Sequence, residues 1–442
     1  MARDFELRLG FGDVVATTNV AAVLNDISPT TALTRSGVVT LVATANQWAV
    51  GYSDSLNFTQ WRTQTADNTN LVTGTATSAI PGDPILNNST SLNQYFLRAA
   101  IAPIGFFGPQ DCGIIVQGAQ DAGSGTAPTA LTSWAQVSAT GGCPATCSAQ
   151  TTTSSLSSIF TPVGTCPPSG TLVMFTNLGG GVGTNLAVRT PFSVLQLSAT
   201  TYSLVTALGG TTAVGTASTV VTAGTTLVGT NATTLTATAV NITLDRILFT
   251  ETVNIGDTIV FGTVGITGLT AGTLYYVTSS TVDGVTLATT SGGTTIDLSG
   301  SLGTNFVGKV NFNTLNAIFP SAGSGTTVTT AVPHGLVPGQ IVVPSSTLGG
   351  LTTQLSYYVL TTPTQTTFTV STTINGAAAN ISTTPATLFV GRQPKIVNVQ
   401  VAMTTRPWLR MAVQQLNGSS VQDGFLAIYN ADLSMGRDSA QV

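Results

Sequence analysis

Short runs of hydrophobic residues, many of them alternating with polar residues, cover most of the chain and are separated by turn motifs. Ile396–Val401 alternates with a period of two, and Ser36–Ala43 is a second run rich in β-branched residues. A period of two places successive side chains on opposite faces of a strand. Dipeptides such as Asp283-Gly284 and Asn375-Gly376 favour tight turns, and long stretches with a helical period are missing. The pattern predicts an all-β, multi-domain protein of β-sandwiches or barrels.

Two segments of the chain carry the same motifs in the same order. Each has a Gly before an Ile- or Val-rich strand, then Gly-Leu-Thr, then Tyr-Tyr-Val, then a closing strand. The Tyr-Tyr-Val blocks are Tyr275–Val277 and Tyr357–Val359, and the Gly-Leu-Thr blocks are Gly268–Thr270 and Gly350–Thr352; both pairs are 82 residues apart. Because repetition at a fixed spacing indicates duplicated units, we predict two tandem Ig-like or small-barrel modules.

The strands of these repeats also predict which side chains build the module cores. The expected core residues are Ile259, Tyr275, Tyr276, Val277, Ile341, Tyr357, Tyr358 and Val359. Since neighbouring residues of a strand face opposite ways, one Tyr of each pair should enter the core and the other should lie on the surface.

A weaker similarity links the two ends of the chain. Tyr95–Ile101 and Pro407–Val413 are both aromatic-Leu-Arg strands, and a Gln-Asp pair follows each of them before a new apolar run. We infer a base domain in residues 1–204 that the C-terminal strands, 393–442, return to and complete. The inserted parts would be a first module in 205–310, with a Thr/Gly-rich lead-in, and a second module in 311–392. The alternatives are a separate C-terminal hairpin or a chance similarity.

The Thr-, Ala-, Gly- and Val-rich segment Thr201–Val240 has two interpretations. It is either a flexible linker or a set of further strands, and its frequent valines favour strands.

The composition excludes several classes of protein. Hydrophobic residues make up 42% of the chain and charged residues only 7%, against roughly 25% charged in ordinary domains. No apolar run reaches the ~18 residues of a membrane-spanning helix, so we expect no membrane partner. No cluster of Lys and Arg is present to neutralise phosphates, so we expect no nucleic acid. A net charge of only −4 leaves little repulsion between copies, which favours a homo-oligomer.

Candidate catalytic residues are few, and we predict that the protein is not an enzyme and uses no cofactor. Its one histidine, His334, lies in a turn, so no Ser-His-Asp or Cys-His set can be built without it. Asp54 and Asp111 are carboxylates without an evident catalytic partner. The glycine run Gly179–Gly183 is not followed by the Lys-Ser/Thr of a phosphate-binding loop.

The cysteines and one aromatic cluster leave alternatives open. Cys112, Cys143, Cys147 and Cys166 could form disulfides, remain free thiols or hold a metal, and a Cys-x3-Cys pair without a second matching pair disfavours the metal. The aromatic residues near the N-terminus could be core or a stacking surface for sugar; they are Trp48, Tyr52, Phe58 and Trp61. Met1–Glu6 has no apolar signal region, so we expect synthesis in a cytoplasm.

The motifs of the second repeat carry a resemblance to a known group of proteins. Pro333–Leu336, Gly339–Val342, Tyr357–Val359 and Thr367–Val370 together resemble a module that recurs in structural proteins of tailed bacteriophages. The first repeat lacks the His-Gly-Leu, and the resemblance covers at most residues ~235–392.

This resemblance implies a component of a virion, made in the host cytoplasm, whose modules project outward. The implied partners are the major capsid protein or other virion proteins. A capsid decoration (cement) protein is the first hypothesis. The alternatives are a tail, baseplate or fibre subunit, or a carbohydrate-binding surface adhesin that recognises a host-surface glycan.

Overall fold

The structure is a computed structural model, and its described part contains no regular element other than β-strands and two short 3-10 turns. The described residues are 9–11, 37–41, 79–81, 85–86, 94–105, 112–123, 125–138, 141–142, 147–154, 158–178, 186–187, 190–214, 224–352, 355, 357–373, 375–391, 395–401, 406–415 and 424–436. The sheets are antiparallel and form several separate units. The predicted all-β, multi-domain fold is therefore confirmed.

The N-terminal strands are short, apart from two longer ones near residue 100. They are β1 (Leu9–Phe11), β2 (Gly37–Leu41), β3 (Ala79–Pro81), β4 (Ile85–Leu86), β5 (Gln94–Ile104), β6 (Cys112–Ala119), β7 (Ala135–Gln136) and β8 (Gly141–Gly142).

A closed six-stranded barrel follows, which we call the barrel. Its strands are β9 (Cys147–Ser154), β10 (Phe160–Pro162), β11 (Leu172–Asn177), β12 (Pro191–Gln196), β13 (Tyr202–Val205) and β14 (Gly224–Gly229), in the order β10-β13-β12-β11-β14-β9. The barrel interior is aromatic, with Phe160 stacked on Tyr202 at a ring-centroid distance of 5.6 Å. The predicted boundary at residue 205 lies inside this unit, since β14 continues the barrel to Gly229.

The first module is a seven-stranded sheet curled around its own core. Its strands are β15 (Ala232–Leu235), β16 (Ala237–Asn241), β17 (Arg246–Phe249), β18 (Thr258–Thr263), β19 (Leu274–Thr281), β20 (Gly284–Ala288) and β21 (Phe306–Val310), in the order β15-β21-β18-β19-β20-β17-β16. Every strand except β16 contributes a buried apolar residue to this core. The described residues of Thr201–Val240 thus include strands of both the barrel and this module.

The second module repeats this arrangement strand for strand. Its strands are β22 (Ala317–Ile318), β23 (Pro320–Ser324), β24 (Thr327–Thr330), β25 (Ile341–Pro344), β26 (Tyr357–Thr364), β27 (Thr367–Ser371) and β28 (Leu388–Val390). The order β22-β28-β25-β26-β27-β24-β23 is the order of the first module with each strand shifted by seven positions in the numbering. The two tandem modules predicted from the sequence are therefore confirmed.

The last strands return to the N-terminal part of the chain. They are β29 (Lys395–Val401), β30 (Trp408–Gln415) and β31 (Gly424–Gly436). Together with β1–β8 they form two sheets, which we call the base. One sheet has the order β1-β31-β5-β29, with β2 also on β31; the other has the order β3-β30-β6-β7, with β4 on β30 and β8 on β6.

The two similar segments at the ends of the chain exchange partners in the base. β5 pairs with β31 from Ile104↔Phe425 to Gln94↔Gly436, and β6 pairs with β30 from Ala119↔Trp408 to Cys112↔Gln415. Each base sheet thus combines strands from before and after the barrel and modules, which lie in residues 147–390.

One apolar cluster, which we call the shared core, joins the barrel to both modules. Its buried members are Cys147, Leu172, Met174, Leu195, Val205, Leu208, Leu227, Val260, Leu274, Val310, Leu315, Ala317, Ile341, Val343, Tyr358 and Phe389. In β11, Val173 and Phe175 point into the barrel while Leu172 and Met174 point into the shared core. Because these barrel strands are buried on both faces, the barrel and the modules pack as one continuous unit.

Polar contacts add to this packing where the barrel meets the first module. Ser169 Oγ donates to the carbonyl of Phe306 (3.3 Å) and accepts from the N–H of Gln196 (3.1 Å). Asn231 is fully buried; its amide donates to the carbonyl of Gly170 (2.9 Å), and its side-chain oxygen accepts from the N–H of Leu172 (2.9 Å). These bonds satisfy backbone groups of the barrel and of the first module that burial would otherwise leave unpaired.

Candidate functional site

A cleft of about 520 Å³ lies between the two modules, within the ~300–1,000 Å³ range of small-ligand sites. Tyr276 and Thr258, which are partners in the β18–β19 ladder, line its first-module side. Phe312, in the 3-10 turn that links the modules, also lines it. The second module contributes the segments Pro333–Leu336 and Thr362–Gln365. Both repeats and their linker are therefore needed to form this site.

His334 is fixed in the wall of the cleft by both ring nitrogens. Its Nδ1 accepts from the N–H of Leu336 (2.9 Å), and its Nε2 lies 3.2 Å from the carbonyl oxygen of Thr364. Because a carbonyl oxygen only accepts, Nε2 carries the proton in this arrangement. The ring also packs edge-on against Phe368, with centroids 5.0 Å apart. The histidine thus ties its turn to the β26–β27 hairpin.

The next two residues connect this turn to the linker and to the module core. Gly335 has a φ of +58°, and a Cβ at this position would lie 2.7 Å from the carbonyl oxygen of Phe312. Only glycine therefore fits both the backbone conformation and the close approach of the linker. Leu336 is buried in the core of the second module. The His-Gly-Leu motif is thus a structural joint in the wall of the cleft.

The first tyrosine of each Tyr-Tyr pair has the same role in both modules. Tyr275 and Tyr357 are 2% and 3% exposed and lie in their module cores. The Tyr275 hydroxyl accepts from the N–H of Thr270 (2.6 Å), and the Tyr357 hydroxyl accepts from the N–H of Thr352 (3.0 Å). The repeated Gly-Leu-Thr loop is therefore held by the repeated tyrosine.

The second tyrosine of each pair differs between the modules, and the expected surface position is wrong for Tyr358. Tyr358 is only 4% exposed and belongs to the shared core. Tyr276 is half-buried, packs against the same cluster and lines the cleft. The outer face of each sheet packs against another unit, so Tyr358 is covered, whereas Tyr276 remains partly exposed at the cleft. Burial raises the pKa of the Tyr276 hydroxyl above its ordinary value.

The remaining predicted core residues lie on two different faces. Ile259, Val277 and Val359 are buried in their module cores. Ile341 is buried in the shared core instead, because it pairs with Tyr358 whereas Ile259 pairs with Tyr275. Corresponding residues are 83 apart between β18 and β25 but 82 apart between β19 and β26. Val342 rather than Ile341 therefore corresponds to Ile259. A shift of one residue moves a side chain to the opposite face of the sheet.

The two cysteines whose surroundings the structure describes lie on opposite sides of the barrel wall. Cys166 is a free thiol in the barrel interior, and burial raises its pKa to about 12. Cys147 is buried in the shared core. These two residues therefore do not pair with each other. Cys112 begins β6, and Cys143 lies outside the described residues.

Several candidate residues lie outside the described residues; they are Asp54, Asp111, the glycine run Gly179–Gly183, Trp48, Tyr52, Phe58 and Trp61. Within the described part of the chain, no group of three or more His, Cys, Asp or Glu side chains is placed to hold a metal ion. The same part contains no helix long and apolar enough to cross a bilayer.

Most of the cleft lining was not predicted from the sequence, including Ser291, Phe312 and Thr362–Gln365. One signal could have indicated it. The segment before Leu336 is residues 331–335, whereas the corresponding segment before Val253 is residues 250–252. Residues that only one copy of a repeat has are not required by the common fold. Here the longer segment contains Pro333 and His334, which lie in the cleft wall.

The chain was compared with protein-family models, with curated protein sequences and with solved structures, and none of them matches it.

Proposed function

We propose that this protein is a structural component of a bacteriophage virion, and that it acts as a capsid decoration protein without catalysis. In this proposal the base binds the outer capsid lattice, through the major capsid protein, and the barrel with its two modules projects from the particle. The observation that carries the proposal is the division of the chain into a two-ended base and one inserted, continuously packed unit.

The connections between the base and the inserted unit support this division of roles. The chain leaves the base after β8 and returns at β29, so the inserted unit is attached through two chain connections. The second module also contacts the base directly: the Gly105 N–H donates to the carbonyl of Val390 (3.4 Å), and Gly105 lies against the ring of Phe389. Two connections and a packing contact restrict how the projection can move.

The surface chemistry and the motif resemblance also support the proposal. A chain with 7% charged residues and a net charge of −4 repels its own copies weakly, which suits dense arrays and homo-oligomers. The His-Gly-Leu and Tyr-Tyr-Val motifs, which resemble modules of tailed-phage proteins, occupy the joint and the strand that organise the second module.

The copy number per particle tests the proposal. Virions of the phage that encodes the chain would be purified, and the protein would be quantified by mass spectrometry against the major capsid protein. A decoration protein should be present in a number comparable to the capsid lattice sites. A control preparation from a phage with the gene disrupted should lack the protein. Its absence from wild-type virions would overturn the proposal.

The same particles separate decoration from a tail, baseplate or fibre subunit. Gold-labelled antibodies against the folded protein should mark the whole head surface. Labelling confined to the tail or its tip, with only a few copies per particle, would replace the decoration role with a tail role.

A further inference from the structure

The lining of the inter-module cleft has a definite chemical character. Among the described residues that line it, none is Asp, Glu, Lys or Arg. Ser291, Thr362 and Gln365 bring side-chain hydroxyl and amide groups to the lining. The hydroxyls of Thr258 and Thr364 are already bonded, to the carbonyl of Val310 (2.9 Å) and to the Thr367 hydroxyl (2.7 Å). Phosphate and carboxylate ligands are ordinarily held by Arg, Lys or a cluster of N–H donors, so this lining favours an uncharged ligand with many hydroxyl groups.

An aromatic surface lies beside these hydroxyl groups. Tyr276 and Phe312 are both half-buried, and both line the cleft. A ligand with apolar C–H faces and hydroxyl edges can pack on such rings while its edges make hydrogen bonds.

Tyr276 also offers an uncommitted hydroxyl. Tyr275 and Tyr357 use their hydroxyls to accept from backbone N–H groups. The Tyr276 hydroxyl has no hydrogen-bond partner among the described residues. Burial alone raises its pKa. A half-buried hydroxyl without a protein partner can bond to a ligand at a small desolvation cost.

The walls of the cleft are held in place before any ligand arrives. Gly335 packs closely against the linker at Phe312, and the His334 ring is hydrogen-bonded to the hairpin at Thr364. The two modules also meet in the shared core. Because little ordering is then needed on binding, even a small ligand can bind measurably.

We propose that the cleft between the two modules is a binding site for a neutral mono- or disaccharide, which stacks on Tyr276 and Phe312 and hydrogen-bonds to the hydroxyl and amide side chains around them. This site goes beyond the proposed role in the virion, since it is a property of the folded chain and does not depend on where the chain is assembled.

Saturation-transfer NMR and calorimetry on the full chain test the proposal, with neutral mono- and disaccharides and with sialylated and phosphorylated sugars as probes. We expect at least one neutral sugar to bind with a Kd below about 10 mM. No binding of any neutral sugar at that level, or a preference for the acidic sugars, would overturn the proposal.

Variants locate the binding. Tyr276→Ala should weaken the binding of the neutral sugar by about tenfold through the loss of stacking, and Tyr276→Phe by about threefold through the loss of one hydrogen bond. The matched control is Val282→Thr, at a residue that is 89% exposed and does not line the cleft; its Kd should equal that of the wild type. Equal binding by the wild type and Tyr276→Ala, with unchanged thermal unfolding, would place the sugar elsewhere and overturn the proposal.

Failure of these measurements and failure of the virion proposal are distinguishable. A purified protein that binds no sugar could still be counted on particles, and a protein absent from particles could still bind sugar in solution.

Discussion

The two modules share one strand order and one internal core, yet they differ on the faces that meet the rest of the molecule. In both, the first tyrosine of the pair is buried and accepts from the N–H of the Gly-Leu-Thr loop. Outside the core, the copies diverge: Tyr276 lines the cleft, whereas Tyr358 is buried in the shared core. The common part specifies the fold of the unit, and the divergent part specifies its neighbours.

The sharpest difference lies at one position of the repeated ladder. Val260 pairs with Gly308 in the first module, and Val343 pairs with Phe389 in the second. A Cβ at Gly308 would overlap the carbonyl oxygen of Ser169, so the barrel backbone fills the space that a side chain would need. In the second module the Phe389 ring fills that space and packs against the base at Gly105. One position thus directs the two copies to different partners.

Phe389→Ala should have the largest effect on the free energy of unfolding. The ring is 7% exposed in the shared core, so its removal leaves a cavity and should lower the free energy of unfolding by about 4 kcal/mol. Chemical denaturation monitored by circular dichroism measures this loss. The control is Val163→Ala, at a side chain that is 70% exposed, which should cost less than about 0.5 kcal/mol. A loss below about 1 kcal/mol for Phe389→Ala would show that the second module does not depend on this contact.

Gly308→Ala should have the next largest effect on the free energy of unfolding, because it adds a side chain where the first module has no room for one. The added methyl group meets the Ser169 backbone, which cannot rotate away, so the barrel and the first module must separate locally at a cost of about 2 kcal/mol. The control is Thr234→Ala on the strand directly opposite Gly308, where the side chain is exposed; it should cost less than about 0.5 kcal/mol. Equal stability of Gly308→Ala and Thr234→Ala would contradict the close approach of the barrel.

The core of each module could be predicted from the sequence, whereas the contacts of its outer face could not. The Tyr-Tyr-Val and Gly-Leu-Thr spacing predicted two modules, because the core of a unit imposes its own pattern on the strand. The surface placement of Tyr358 was predicted wrongly, because alternation gives the face of a side chain and not what lies opposite that face. The cleft could not be predicted for the same reason: Tyr276 and Gln365 are brought together by the packing of two units.

Tyr275→Phe and Tyr357→Phe should have equal and smaller effects. Each change removes the acceptor of one backbone N–H, at Thr270 or Thr352, and should cost about 1–1.5 kcal/mol. The measurement is the shift in the unfolding midpoint of each variant, with the double variant to test additivity. The two sites lie in separate cores, so the losses should add. A difference of more than about 1 kcal/mol between the single variants would mean that the modules do not share this feature equally.

The segments before the buried Val253 and Leu336 provide the last contrast. In the second module this segment holds His334, whose ring bonds to the β26–β27 hairpin. In the first module it holds Glu251, whose carboxylate accepts from the N–H and the hydroxyl of Thr236. The same region of the repeat is therefore held by hydrogen bonds of a buried imidazole in one copy and of an exposed carboxylate in the other.

Glu251→Gln should have the smallest effect, and only above the pH at which the carboxyl group ionises. Partial burial works to raise the pKa of Glu251, but the hydrogen bonds from Thr236 outweigh it, and the pKa lies below its ordinary value of 4.5. A lowered pKa means that the unfolded chain binds the proton more readily, so this contribution to stability is fully present above pH 4.5 and is lost as the pH falls through the lowered value. Because the side chain is exposed, solvent screening keeps the contribution small. Thermal unfolding of the two proteins should therefore show a slightly more stable wild type at pH 7 and equal stability at pH 2, whereas a difference that persists at pH 2 would mean that the charge of Glu251 does not secure this turn.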